Sequence, residues 1–173
     1  MPSKISFSNI LILISALVTL VATFIPSLYQ FGMNTYFLDL DYLHVLLQFT
    51  LYSFLHGILH LAMNSIFIYY FGNGLERLIG EKKYLLFFLT TIFIVLLLIF
   101  VGNTIGISGF ALALLTYYTL YLKSIGNPEY KGGITAIFVN IAVGFVPVSL
   151  WGHLFGAIFG ALFFFLSQKK RSL

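Results

Sequence analysis

Six apolar runs, at 10–28, 49–71, 84–101, 108–122, 132–146 and 153–167, take up most of this 173-residue chain. Each comes near the ~20 residues that cross a bilayer as a helix. Inside a bilayer no water meets the backbone N–H and C=O groups, so such a run must satisfy them within itself. The constraint points to an all-α integral membrane protein: a bundle of six transmembrane helices forming a single membrane domain over 1–173. Charged residues supply only 8% of the chain, against ~25% in an ordinary soluble domain, which leaves no room for a separate soluble unit. With Lys4 ahead of it, the first run has a signal peptide as its rival reading. It is longer than the usual apolar core of about 7–15 residues and no A-x-A site follows, so it is read as the first span.

Six spans place both termini on one side of the membrane. All nine basic residues (Lys4, Arg77, Lys82, Lys83, Lys123, Lys131, Lys169, Lys170 and Arg171) then fall on that side. The positive-inside rule makes that side, and with it both termini, cytoplasmic; the expected location is the plasma membrane. The net charge of +4 is thereby explained by topology. It forms no basic patch interleaved with stacking aromatics, so no nucleic-acid partner is expected; the lipid bilayer is. The 29–48 segment is rich in Tyr, carries Asp39, Asp41 and His44, and has no Lys or Arg. Such a segment suits the headgroup zone. No cysteine is present, which excludes disulfides, thiol catalysis and Cys-ligated metals.

In this topology spans two, four and six all start on the outer side. His56, His60 and Asn64, at i, i+4 and i+8, are expected on one face of the second span, in its outer half. Ser108, between Gly106 and Gly109, opens a short fourth span; His153 opens the sixth; Asn140 alone interrupts the fifth. Each has a bland reading: Ser108 as a helix cap, His60 and Asn64 as interhelical glue, His153 as an interfacial residue. For His56 the bland reading, a bond to a neighbouring carbonyl, is preferred. Their common depth favours a site, because polar groups inside a membrane are costly. A serine becomes a nucleophile when a histidine can take its proton. Asp39 and Asp41 lie in the outer segment and Glu76, Glu81 and Glu129 on the cytoplasmic side, so any catalytic unit is a Ser–His dyad. The Asn64 amide, a His60 N–H and the Ser108 backbone N–H are candidate oxyanion donors. Gly156 and Gly160 give the sixth span a small face that lets it approach the fourth.

These motifs, His56-Gly57-x-x-His60-x-x-x-Asn64, Phe71-Gly72-x-x-x-Glu76-x-x-x-Gly80, Gly106-x-Ser108-Gly109 and His153-x-x-Gly156-x-x-x-Gly160, occur in order along the chain. Together they resemble the rhomboid intramembrane serine proteases in their minimal six-helix form. The resemblance implies Ser108 as nucleophile and His153 as general base. It implies His60 and Asn64 in the oxyanion site with the Ser108 amide, and a structural part for His56. It also implies membrane-anchored, usually single-pass protein substrates cut near the outer end of their helix, with the fifth span and the 147–152 link as gate and cap. No metal or cofactor is called for. Where many relatives carry a Trp-Arg pair before the second span, Leu47-Gln48 stand here; where many carry an aromatic four residues after the serine, Leu112 stands. Other readings are a catalytically silent rhomboid-like protein binding membrane clients, a His-ligated haem or metal protein, and a small transporter.

Overall fold

The computed structural model describes residues 5–32, 39, 41–96, 106–143 and 150–169. Among them the regular structure is helical throughout. Helix α1 (Phe7–Phe24) starts at Ser6, whose hydroxyl accepts the Asn9 N–H at 3.2 Å. It buries Ser8, Leu11, Ser15, Thr19 and Ala22, one face at helical spacing, while Leu13, Leu17, Leu20 and Phe24 are exposed. Small and hydroxylic residues inward with large apolar ones outward inverts the pattern of a soluble bundle. It is the pattern expected where lipid is the solvent and packing replaces the hydrophobic effect.

After a 3₁₀ turn at Pro26–Gly32 come α2 (Tyr42–Leu51), a second 3₁₀ turn at Tyr52–Phe54, and then α3 (Ile58–Phe67). A single wide turn of π type, Ile68–Gly72, joins α3 to α4 (Asn73–Ile79). Helices α5 (Glu81–Leu96), α6 (Ser108–Ser124), α7 (Tyr130–Val143) and α8 (Leu150–Lys169) complete the order.

The expected continuous second span is therefore corrected: the 49–71 run is two helices meeting at a break over residues 55–57. The cause is local. Leu55 and Gly57 are both extended, and the His56 carbonyl accepts the Tyr29 hydroxyl at 2.7 Å. The face expected to carry His56, His60 and Asn64 thus loses His56, and α3 keeps the other two. The sixth helix also starts earlier than expected, at Leu150, which sets His153 one turn inside it. Of the connections expected to cap the outer side, 102–105 and 147–149 lie outside the described residues, as do Lys4, Lys170 and Arg171 of the charge argument.

By length and apolarity α1 and Leu150–Gln168 of α8 each suffice to cross a membrane, and Tyr42–Phe54 with Ile58–Ile79 do so as a bent pair. Helix α6 does not need to meet that criterion. Its 17 residues reach about 25 Å at ~1.5 Å each, but from Ser108 to Tyr117 every one is buried. A helix apolar on all sides and enclosed by protein is freed from matching the hydrocarbon thickness. Phe87 of α5 and Phe163 of α8, with ring centroids 4.5 Å apart, pack in one core with Phe110 and Tyr117 of α6.

Glu76 ties the opposite end of the bundle together. Its carboxylate accepts the Phe7 N–H at 2.8 Å, the Ser8 N–H at 3.0 Å and the Ser8 hydroxyl at 2.9 Å. An ionised carboxylate only accepts, so Ser8 gives it the proton and in turn accepts from the Tyr84 hydroxyl, 2.9 Å away. Glu76 thus satisfies first-turn N–H groups of α1 and meets the positive end of its dipole. Glu76→Ala is expected to cost about 2–3 kcal/mol of stability, several charge-assisted bonds being lost at once. Glu76→Gln should lose less, since it keeps one accepting oxygen. The thermal inactivation midpoint in detergent measures both; equal midpoints for Glu76→Ala and the unaltered protein would refute the account.

Candidate active site

Helix α6 begins at Ser108, with Ile107 in the capping position, so the serine hydroxyl is not the helix cap. Ahead of it Gly106 has φ +91°, a left-handed conformation that suits glycine. The Gly106 N–H donates to the Tyr52 carbonyl at 2.7 Å. A Cβ there would stand 3.1 Å from His60 Cε1 and 3.2 Å from His56 Cδ2. A side chain at 106 would therefore meet both rings as well as a backbone strain.

His56, wholly buried, explains why that approach is so close. Its Nδ1 donates to the Phe54 carbonyl at 3.0 Å, and its Nε2 accepts the Ile107 N–H at 3.0 Å. Both ring nitrogens are thereby used, one on Phe54 and one on Ile107, and neither is left for a proton relay or a metal. The ring pins the residue that precedes the serine. Among the described residues no three His, Asp or Glu side chains converge as metal ligands.

The remaining polar residues of the sequence pattern meet at one cavity of about 550 Å³, bordered by His60 and Asn64 from α3, Ser108 and Leu112 from α6, Asn140 from α7 and His153 from α8. Met63 and Phe67 add apolar wall. This is the composition of a binding cleft, largely apolar with a few converging polar groups. The His60 ring lies edge-on to that of His56, centroids 5.4 Å apart. Asn64 is 6% exposed, and its side-chain NH₂ has no hydrogen-bond partner. A buried donor left unpaired costs about 1–3 kcal/mol, so it calls for a reason. The Ser108 N–H belongs to the first turn of α6, where helix N–H groups have no intrahelical acceptor and the dipole is positive.

The glycines flanking these residues set how closely the helices approach. A Cβ on Gly109 would stand 2.7 Å from Val95 Cγ2 and 3.1 Å from the Gly152 carbonyl. One on Gly156 would overlap the Gly109 carbonyl oxygen, and one on Gly160 that of Ala113. Helix α8 thus lies with its backbone directly on that of α6, which is how His153 and Ser108 come to border one cavity.

Three contributors escaped the sequence reading. The Asn140 backbone carbonyl accepts the His153 Nδ1–H at 2.9 Å. Asn140 was visible as the polar interruption of an apolar run, but a main-chain acceptor leaves no mark in a sequence. Tyr29 and Tyr52 likewise enter through backbone contacts, in the outer segment and the second run. Leu112, standing where many relatives carry an aromatic, is buried against the cavity, and the His153 ring meets the α7 carbonyl instead.

A family model, Rhomboid domain, matches residues 44–170, which take in every residue of the cavity and both glycine contacts. The chain is also 28% identical over 126 residues to YdcA of Bacillus subtilis (strain 168), a protein provisionally named a rhomboid protease. That match covers 66% of this chain and 63% of the relative, so the chain spans less than two thirds of the relative's length. A domain match over most of the chain, on a helical structure whose motifs fold around one cleft, has one consequence: this chain belongs to the rhomboid family.

Proposed function

We propose that the protein is an intramembrane serine endopeptidase that hydrolyses peptide bonds in or near the transmembrane helix of membrane-anchored proteins, single-pass proteins first among them. The observation that carries the proposal is the convergence of Ser108, His153 and the unpaired Asn64 amide on one cleft. In this reading the chain is one six-span domain with both termini in the cytoplasm of a cell whose plasma membrane holds it. The cleft then opens toward the outer side, from which water enters.

The chemistry follows from the groups present. Ser108 Oγ attacks the scissile carbonyl carbon while His153 Nε2 takes its proton. The carbonyl oxygen becomes an oxyanion, held by the Ser108 N–H, the Asn64 amide and His60. Collapse breaks the C–N bond, and the amine leaves with the proton from His153. Water then attacks the acyl-Ser108 ester with His153 again as base, releasing the carboxylic acid and restoring the hydroxyl. Every step uses groups of this chain and substrate or water.

Cleavage of a single-pass reporter in proteoliposomes tests the reading, together with mass-spectrometric location of a phosphonylating serine-hydrolase probe. Reporter cut within its helix and an adduct on Ser108 are expected. An adduct elsewhere, with Ser108 unmodified, would refute the assignment.

Asn64 gives a sharper check. Asn64→Leu should lower kcat by about 10²–10³-fold, the usual cost of an oxyanion donor. Stability should stay level or rise, because an unpaired buried donor is removed. Interhelical glue would behave in the opposite way, losing stability with little change in kcat. Thermal midpoint and kcat, measured on one preparation, separate the two.

A further inference from the structure

We propose that the main-chain carbonyl of Asn140, on α7, is the group that orients and charge-stabilises His153, taking the place a buried carboxylate holds in a catalytic triad. The proposal rests on Ser108 and His153 acting as a dyad. A neutral imidazole exists as two tautomers, and only the one with its lone pair toward the serine can act as base. The Asn140 oxygen lies 2.9 Å from His153 Nδ1. A carbonyl has no proton to give, so Nδ1 carries the hydrogen and Nε2 carries the lone pair. When Nε2 accepts the serine proton the ring becomes a cation. Its Nδ1–H then donates with charge assistance, so the bond is stronger in the transition state than before it.

Three further observations narrow the role to the backbone. The Asn140 side chain is engaged elsewhere, its Nδ2 donating to the Ala136 carbonyl at 2.8 Å in the same helix. Leu112, the buried residue one turn past Ser108, can neither hydrogen-bond the ring nor stack on it. The histidine at the break, His56, has both nitrogens committed to other partners. Positioning by a carbonyl of α7 also has a consequence. An N–H···O bond weakens steeply as its distance and angle depart from ideal. The base is in register only while α7 is seated against α6 and α8, so the placement of a helix, through one carbonyl, sets the protonation geometry of the site.

An ester is a weaker acceptor than an amide, and replacing the amide that joins Asn140 to Ile141 by an ester weakens that one carbonyl. The control ester joins Ile141 to Ala142; it likewise removes one α7 N–H but weakens a different carbonyl. In the full-length protein in proteoliposomes, the first ester should lower kcat by about 10–100-fold with KM held within about twofold, less than complete loss of a triad's orienting group. The control should keep kcat within about threefold. Ring ¹⁵N spectra, assigned by loss of signal in His153→Ala, should show the proton on Nδ1 in the intact protein and a redistributed tautomer population in the first ester. Equal kcat values for the two esters, a fall confined to KM, or an intact ring protonated on Nε2 would each overturn the proposal. A Ser108→Ala protein that still cuts would bring down the dyad itself, and this proposal with it. That outcome is distinct, because the esters are compared with Ser108 in place.

Discussion

Ser108→Ala should leave no measurable cleavage, a loss on the order of 10⁴-fold or more, because among the described residues no other hydroxyl borders the cleft. The serine is 9% exposed and heads α6 without capping it. Removing one oxygen there creates almost no void, so the altered protein should fold and keep its thermal midpoint. This is what separates the nucleophile from the cap. A Ser cap replaced by alanine costs about 1 kcal/mol and would leave chemistry alone. His153→Ala should fall as far in kcat, and the double variant no further, since groups that act as a unit are not additive. The measurement is initial cleavage rate of the single-pass reporter at saturating concentration, each variant checked for fold by thermal inactivation of probe-independent fluorescence. Residual cleavage at about 1% of the unaltered rate or above would refute Ser108 as the nucleophile, such a rate being far above what binding and the oxyanion site alone supply.

How far these features could be read beforehand depends on whether a side chain or the main chain does the work. Ser108 as the opening residue of a short helix was legible, because a serine between two glycines at the head of an apolar run has few places to go. The approach of α8 to α6 was legible for the same kind of reason: Gly156 and Gly160 are four residues apart and present a small face. The break at residues 55–57 was not. Periodicity over 49–71 is helical in character, and His56 falls on the pattern with His60 and Asn64. What interrupts it is a set of backbone bonds made at long range, Tyr29 to the His56 carbonyl and Gly106 to the Tyr52 carbonyl. Tertiary partners of this kind override local preference and are invisible to it. The Asn140 carbonyl belongs to the same class, as any residue type would carry it. Sequence reading therefore reached the residues whose side chains border the cleft, Ser108, His153, His60 and Asn64. It missed the main-chain groups around them.

Gly156→Ala, the smallest change available, is expected to cost the protein both stability and rate. The added Cβ would overlap the Gly109 carbonyl oxygen and lie 2.8 Å from its carbon and 3.0 Å from its Cα. These are backbone atoms of α6, in its continuously buried part from Ser108 to Tyr117, so nothing there can swing aside. Helix α8 must move outward instead. Overpacking of this kind costs about 1–3 kcal/mol, which the thermal midpoint would register. The catalytic cost should be larger. His153 precedes Gly156 by three residues on the same face of α8, and Gly109 directly follows the serine. A displacement that clears residue 156 therefore opens the gap between base and nucleophile, and a misplacement near 1 Å costs about 10²-fold in rate. Gly152→Ala on the same helix provides the control, since among the described residues a Cβ there meets only Val95 Cγ1 at 4.0 Å, an ordinary contact. Its rate and midpoint should stay close to those of the unaltered protein. If Gly156→Ala cuts as fast as Gly152→Ala, the backbone contact between α6 and α8 does not set the geometry of the site. If instead it loses rate while keeping its midpoint, α8 has shifted without loss of packing, and the glycine is there for register of the dyad alone.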